Sequence, residues 1–450
     1  MRIVFARAAR LLAVSCALAG VPAVAAELFI PTYSRDVAPI LREKCQECHQ
    51  AGQVGPFPLV TYEHARKRAD DLAAVVQDRR MPPWKPEPGF GPKLRHDRSL
   101  SPAEVATISR WAESGALPGE ACQAPAARPI VDDWALGTPD LVLEPSESYT
   151  VPATGADFYR CFVIPTNLPD DVYVSAIEYR PGNRRVVHHL MSFVETAGAG
   201  RARDKADPGP GYESYANAGV EIIGDLGGWA PGNEPARLPE GVGRSLPRKA
   251  DVILLVHYHP VGKPEVDRTR IGLHFSRKPV RQTLQWKGVM SQDIRLPAGE
   301  ADVKVKAKWF VPVDVELLAV APHMHQLGRD MTITATLPDN RVVNLLHIAD
   351  WDPDWQGTYT YEAPLHLPKG STIHVVGRFD NTNRPGNPNR PPKLVKFGLG
   401  SADEMCVAYL AVVKTGQDLT RPGEPDDLFE IFADQHRRGM RRELISRRRH

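Results

Sequence analysis

Val252-Ile-Leu-Leu-Val-His-Tyr-His259 places an unbroken aliphatic run directly before two histidines spaced i, i+2. A short run rich in β-branched residues is a strand signal. Residues i and i+2 of a strand point the same way, so His257 and His259 can reach one metal from one face. The same arrangement recurs where Leu317–Ala321 runs into His323-Met324-His325. A third pair, His188-His189, follows a different geometry. Adjacent strand residues face opposite sides, so both can bind one metal only at a strand end or a bulge. Imidazole suits copper, and a thioether partner favours Cu(I). Met405, in Asp403-Glu404-Met405-Cys406, can supply that thioether. The pattern therefore predicts two copper ions. From about residue 140 onward the chain repeats short Val/Ile/Tyr runs between Pro/Gly turns, among them Val172–Tyr179, Val315–Ala321, Met331–Leu337 and Ile373–Phe379. Such spacing predicts β-sandwich domains.

The first hundred residues read differently. Cys45-Gln-Glu-Cys48-His49 is a c-type haem attachment motif, in which both thiols bond the haem covalently and the histidine ligates iron. Met81, in Arg80-Met81-Pro82-Pro83-Trp84, is the leading candidate for the second axial ligand, because the prolines stiffen the loop that would hold a weak, soft donor. His64 and His96 are the alternatives. The segment is predicted helical, with an amphipathic helix over Glu63–Asp78. A second helix is opened by the capping box Ser101-Pro-Ala-Glu104 and ended by Gly115. The Ala/Pro-rich stretch Ala121–Pro129 reads as a linker.

Residues 1–26 have the pattern of a secretory signal: Arg2, Arg7 and Arg10, then the apolar stretch Leu11–Val21, then Ala23-Val-Ala25. No other apolar run is long enough to span a membrane as a helix. Export fits covalent haem, which bacteria attach outside the cytoplasm. The chain has 56 basic and 54 acidic residues. The leader takes three arginines and no acid, and the tail His436–His450 takes seven arginines and one glutamate, so the body between them is acidic and the tail basic. No Gly-rich phosphate loop or interleaved basic-aromatic patch points to nucleic acid. Cys122, Cys161 and Cys406 remain once leader and haem motif are set aside, and in an oxidising compartment one disulfide and one free thiol is the simplest expectation.

The order His188-His189, His257-Tyr258-His259, His323-Met324-His325, Glu404-Met405-Cys406 resembles the copper type II, ascorbate-dependent monooxygenases, which include peptidylglycine- and dopamine-hydroxylating enzymes. The likeness covers roughly residues 140–425. It implies two tandem jelly-roll sandwiches with one copper on each. His188, His189 and His257 would bind the electron-supplying copper, while His323, His325 and Met405 would bind the copper that activates oxygen. His259 would become a neighbour or spare ligand, and Tyr409 would lie beside the substrate. Three positions depart from the family. Ala321 stands where the peptide-amidating enzyme has an Arg, Val407 stands where it has an Asn, and Val376-Gly377-Arg378 lacks the partner cysteine for Cys406. The segment from Met81-Pro-Pro-Trp84 to Trp111-Ala-Glu-Ser-Gly115 resembles small class I cytochromes c.

The expected architecture is multidomain: a small all-α cytochrome c domain followed by two all-β jelly-roll sandwiches. Its parts are a signal peptide (1–26), a haem domain (27–119), a linker (120–139), sandwiches over 140–285 and 286–425, and a basic tail (426–450). The expected function is an exported, periplasmic or secreted copper monooxygenase with covalent haem c. It would hydroxylate a C–H bond of a small organic substrate with O2 and draw on a periplasmic electron donor. The alternative is a non-catalytic electron carrier or copper-handling protein on the same scaffold.

Overall fold

The structure, a computed structural model, describes residues 29–50, 53, 55–126, 134–215, 217–230, 233, 235–400, 402–435 and 437. The expected leader and the arginine-rich end beyond residue 437 lie outside the described residues.

Three hydrophobic cores organise the chain. The first is helical and small, with Val37, Leu41, Leu72, Ile108 and Trp111 at its centre. Its longest helix, Pro102–Glu113, starts on the expected capping box: Ser101 Oγ accepts from Glu104 N at 3.2 Å, and Ser101 N donates to Glu104 Oε2 at 2.7 Å. It ends before Gly115, at φ +84°. The single helix expected over Glu63–Asp78 is instead two, Tyr62–Arg66 and Ala69–Gln77. The turn falls at Arg68, which leaves helical geometry with its guanidinium 4.5 Å from the Phe57 ring.

The second core lies between two five-stranded sheets. Asp251–Tyr258 is the middle strand of one, between Phe158–Pro165 and Val187–Glu195, and every residue in it is buried. Val252, Leu254, Val256 and Tyr258 point into the core between the sheets. Ile253 and Leu255 point the other way, into a smaller cluster with Cys161, Phe193 and Tyr212. The apolar run is continuous because both faces of this strand are covered. His257 shares the parity of Ile253 and Leu255, so strand alternation puts it on that outer face.

The third core lies between two four-stranded sheets. Strand Val303–Phe310 shows ordinary alternation, with Val305, Ala307 and Trp309 buried and Lys304, Lys306 and Lys308 exposed. In Val315–Met324, Val320 and Met324 enter the core. Ala319 faces outward, where with Ala411 and Val413 it meets Val242 of the first sandwich. His323 shares this outward parity, and it lies within electrostatic reach of His189 of the first sandwich.

The helical unit is fastened to both sandwiches. Residues 85–95 run along the edge of the second: Pro86 bridges Ile348, Leu94 bridges Tyr361, Arg95 N donates to Thr360 O at 2.7 Å, and Lys85 pairs with Asp350 at 3.1 Å. Trp84 meets Tyr359 edge to face at 5.3 Å. The far end of the expected linker is also anchored, since Ala135 N donates to Glu178 Oε1 at 2.8 Å. The expected disulfide does not form. All described cysteines are free: Cys122 is exposed on a 3-10 turn, and Cys161 and Cys406 are buried in different sandwiches, so no two of them can meet. No described helix is long and apolar enough to cross a membrane.

Candidate metal centres

The first cluster is built by a bulge. Val187–Glu195 pairs with Asp251–Tyr258 so that His189 faces His257, and the register shifts between Val187 and His189. His188 is the extra residue. The shift turns two adjacent side chains toward the same place, as adjacent histidines require if they are to share a metal. His189 Nδ1 lies 3.1 Å from His188 Nδ1 and 3.2 Å from His257 Nδ1. One ligand atom from each of the three falls within 4.8 Å of the others. At most one proton can be shared along each short N···N contact, so nitrogen lone pairs converge on one point. His257 Nε2 lies 3.3 Å from Asp157 Oδ2, and His259 Nδ1 lies 2.7 Å from Asp157 Oδ1. A proton held on Nε2 by the carboxylate leaves Nδ1 of His257 free to ligate. The hydrogen bond from His257 is the main reason the Asp157 carboxyl is held down at about 2. The Tyr159 ring stacks on His257 at 4.4 Å and 14°. Burial, then the charges of His257, His188, His323 and His325, hold His189 well below the ordinary histidine range. His259 stands beyond Asp157, exposed, and is not part of the cluster.

The second cluster uses the opposite nitrogens. His323 Nδ1 hydrogen-bonds Gln356 Oε1, and His325 Nδ1 donates to Asp403 O at 3.1 Å. Both contacts fix the proton on Nδ1 and leave Nε2 of each ring as the free donor. The two ring centroids are 5.1 Å apart. Burial, then the charge of His325, lowers His323 to about 4. The register His323↔Val407 and Met324↔Cys406, continued by one pair, brings buried Met405 beside His325. Glu404 ties the two ends together: its carboxyl accepts from His325 N at 2.9 Å, Met405 N at 3.2 Å and Leu327 N. Burial pushes that carboxyl up to about 8. Tyr409 pairs with Ala321, on the same face as His323, and lies within electrostatic reach of Tyr159. It thus stands between the clusters.

In the helical unit, Cys45 and Cys48 are half-buried, and burial raises the Cys45 thiol to about 12. His49 Nδ1 lies 3.0 Å from Phe57 O, so its proton is occupied there and Nε2 is free. A cavity of about 1240 Å³ opens where the three units meet, bounded by Cys48 and Trp84, by Arg184 and Trp229, and by Trp286 and Gln356. Met81 is half-buried just before the prolines, its N–H bonded to Val75 O at 3.1 Å. His96 is exposed and borders the cavity. His64 is spent on the Thr61 capping box.

Asp157, Tyr159 and Gln356 carry no signal in the sequence, because strand pairing alone brings them to the histidines. Glu404 could have been noticed: a carboxylate beside Met405, heading a strand bound for the core, needs partners.

Residues 301–418 match the family model described as "Copper type II ascorbate-dependent monooxygenase, C-terminal domain". Over 294 residues the chain is 27% identical to peptidyl-glycine alpha-amidating monooxygenase A of Xenopus laevis, covering 61% of this chain and 29% of that protein. The chain therefore spans less than a third of that relative's length. Both matches are to monooxygenases. Likenesses to solved structures are remote. One is to the cowpea mosaic virus top component (7% identical, 61% of this chain, 95% of that one, TM-score 0.27). Another is to PNGF-II (10% identical, 61% of this chain, 65% of that one, TM-score 0.25). Neither bears on function.

Proposed function

We propose that this chain is an exported copper monooxygenase that hydroxylates a C–H bond of a small organic substrate with O2, and that its own haem-bearing helical unit passes it electrons from a periplasmic donor. The observation that carries this reading is the convergence of one ligand atom each from His188, His189 and His257 within 4.8 Å, with His189 in electrostatic reach of His323 and His325. The donor set fits copper: imidazoles in one cluster, imidazoles and a thioether in the other, with no thiolate in either. His188, His189 and His257 hold the electron-supplying copper, and His323, His325 and Met405 hold the second. Cys45, Cys48 and His49 hold haem c, with Met81 as second axial ligand. The domain limits are those given above: 27–119 for haem, 140–285 and 286–425 for copper.

Bound copper supplies one-electron transfer at the first cluster and activation of O2 at the second, and bound haem supplies a one-electron store. Two electrons and two protons accompany O2 for each C–H bond converted to C–OH, with water as the other product. The protein's share is positioning. Asp157 holds the proton of His257 on Nε2. Gln356 and the Asp403 carbonyl hold those of His323 and His325 on Nδ1. Glu404 fixes the turn after His325 relative to Met405. Tyr409 lines the space beside His323, where a substrate C–H must come.

Metal analysis and oxygen uptake test the reading together. Reconstituted protein is expected to bind two coppers and one covalent haem per chain, and after reduction to consume oxygen in a substrate-dependent way. Preferential zinc binding, or oxygen uptake indifferent to every added substrate, would overturn it in favour of a copper-handling or electron-carrier role.

A further inference from the structure

The second sandwich carries a basic edge with an apolar tip that the copper chemistry does not use. Edge strand Val303–Phe310 turns Lys304, Lys306, Lys308 and Phe310 outward. Phe310 is 54% exposed, with Lys308 Nζ 5.4 Å from its ring centre. Across the sheet the same row runs from Phe310 to Thr372, from Thr372 to Thr336 and from Thr336 to Val342, and Val342 is 64% exposed. Directly opposite residues share a face. One row therefore carries an exposed apolar side chain at each edge, about 14 Å apart at ordinary strand spacing. Residues 311–314 join Phe310 to Val315, and from Val315 to His323 the next strand rises about 26 Å. The row thus lies at the opposite end of the sandwich from the second cluster.

The arginine-rich tail leaves the molecule at the same place. Leu428 and Phe432 enter the core of the second sandwich, and the Phe432 ring meets Trp309 edge to face at 5.5 Å. Gln435 clamps the segment to the edge strand: its Oε1 accepts from Trp309 Nε1 at 2.7 Å, and its Nε2 donates to Phe310 O at 2.7 Å. Arg437 follows, 3.9 Å from Asp434. Residues 438–450 then hold Arg438, Arg441, Arg442, Arg447, Arg448 and Arg449 against the single acid Glu443. Asp302, Asp339 and Asp427 are each taken up by another cation, Arg378 at 2.8 Å, Arg341 at 2.6 Å and Lys414 at 2.7 Å. Among the described residues, Lys304, Lys306 and Lys308 form no ion pair.

Lysine on an edge strand can serve only to prevent edge-to-edge pairing. That role needs neither an exposed phenylalanine in line with the lysines nor an arginine run held beside it. Cations flanking exposed apolar side chains suit a bilayer surface, where lipid phosphates take the charge and the headgroup–acyl boundary takes the ring. We propose that this edge is a peripheral membrane-docking surface for a bilayer rich in anionic phospholipid. Lys304, Lys306, Lys308 and the tail arginines meet the headgroup phosphates, and Phe310 and Val342 enter the interface. The chain is then held to a membrane surface without a spanning helix, with its second cluster at the end of the sandwich away from the lipid.

The test is sedimentation of the full-length, copper-loaded protein with vesicles of phosphatidylcholine, alone or mixed with phosphatidylglycerol. Wild type is expected to bind the mixed vesicles at low salt, to leave them at high salt and to ignore phosphatidylcholine alone. The variants are Lys304→Gln with Lys306→Gln and Lys308→Gln, Phe310→Ser, and a chain ended after Arg437. Losing the three lysines, or the tail, should weaken binding more than about tenfold, at roughly fivefold for each cation near the surface. Phe310→Ser should weaken vesicle binding and leave binding to soluble polyglutamate unchanged. Copper content and circular dichroism check that each variant is folded. Wild type that stays in solution beside mixed vesicles at low salt overturns the proposal. So do folded variants that all bind as wild type does. Vesicle binding indifferent to Phe310→Ser, matched by equal affinity for polyglutamate, overturns the bilayer in favour of an acidic protein partner.

Discussion

The two histidine clusters solve one problem in opposite ways. The first gathers three imidazoles through Nδ1 in the angle of a β-bulge, and a carboxylate, Asp157, orients one of them. The second presents two imidazoles through Nε2 from the end of a strand, and both are oriented by neutral groups, the Gln356 amide and the Asp403 carbonyl. A nearby anion favours the more highly charged oxidised metal, whereas neutral partners and a thioether favour the reduced one. Under the roles proposed above, the carboxylate-oriented cluster would store the electron and the thioether-bearing cluster would face oxygen.

The largest expected effect comes from removing the residue that closes the first cluster. His257→Ala should reduce bound copper from two ions to one and stop oxygen-dependent reoxidation of the haem, leaving the haem spectrum unchanged. Metal analysis and stopped-flow absorbance would show this, and two tightly bound coppers in the variant would break the contrast. Met405→Ala should act on the other side, weakening Cu(I) at the second cluster while sparing the first. Truncating a buried methionine should also lower stability by about 2–5 kcal/mol, read by denaturant unfolding. Equal losses at both clusters would mean that the thioether does not distinguish them. Asp157→Asn keeps every ligand and removes only the orienting charge. It should weaken copper at the first cluster by about 10–100-fold and raise that copper's potential, with Gln356→Leu having the smaller effect at its own site. The reverse ranking would remove the electrostatic argument. The smallest effect is expected from Glu404→Gln, which sets an amide NH2 against backbone N–H groups that need an acceptor. About 1–3 kcal/mol of stability should go, measured by thermal unfolding, with the first copper untouched.

Much of this architecture could be read before any coordinates. The run Val252–Val256 announced a strand, and adjacent histidines announced a strand end or a bulge, because strand geometry leaves few alternatives. The capping box at Ser101 located a helix start for the same local reason. What escaped was tertiary. Asp157 and Gln356 reach their partners only when distant strands pair, and no local pattern marks them. The three leftover cysteines suggested a bridge by counting, yet Cys161 and Cys406 were sorted into separate sandwiches by their own apolar neighbours. A Cβ on Gly377 would lie 2.8 Å from Cys406 Sγ, which shows where a partner thiol would have to be. The helix over 63–78 looked continuous because its hydrophobic period hides the turn at Arg68.

The edge contacts of residues 85–95 bear on how the molecule could be divided. Main-chain bridges at Pro86 and Leu94, the Lys85–Asp350 ion pair and the Trp84–Tyr359 ring contact join the helical unit to the second sandwich without using the connection through residues 120–139. Covalent continuity there is thus redundant for holding the parts together. A cut introduced between Cys122 and Trp134 should leave two polypeptides that travel as one particle on size exclusion, and electron transfer between them should keep first-order kinetics. Two genes could then encode what one chain encodes here, with residues 85–95 serving as the plug between subunits.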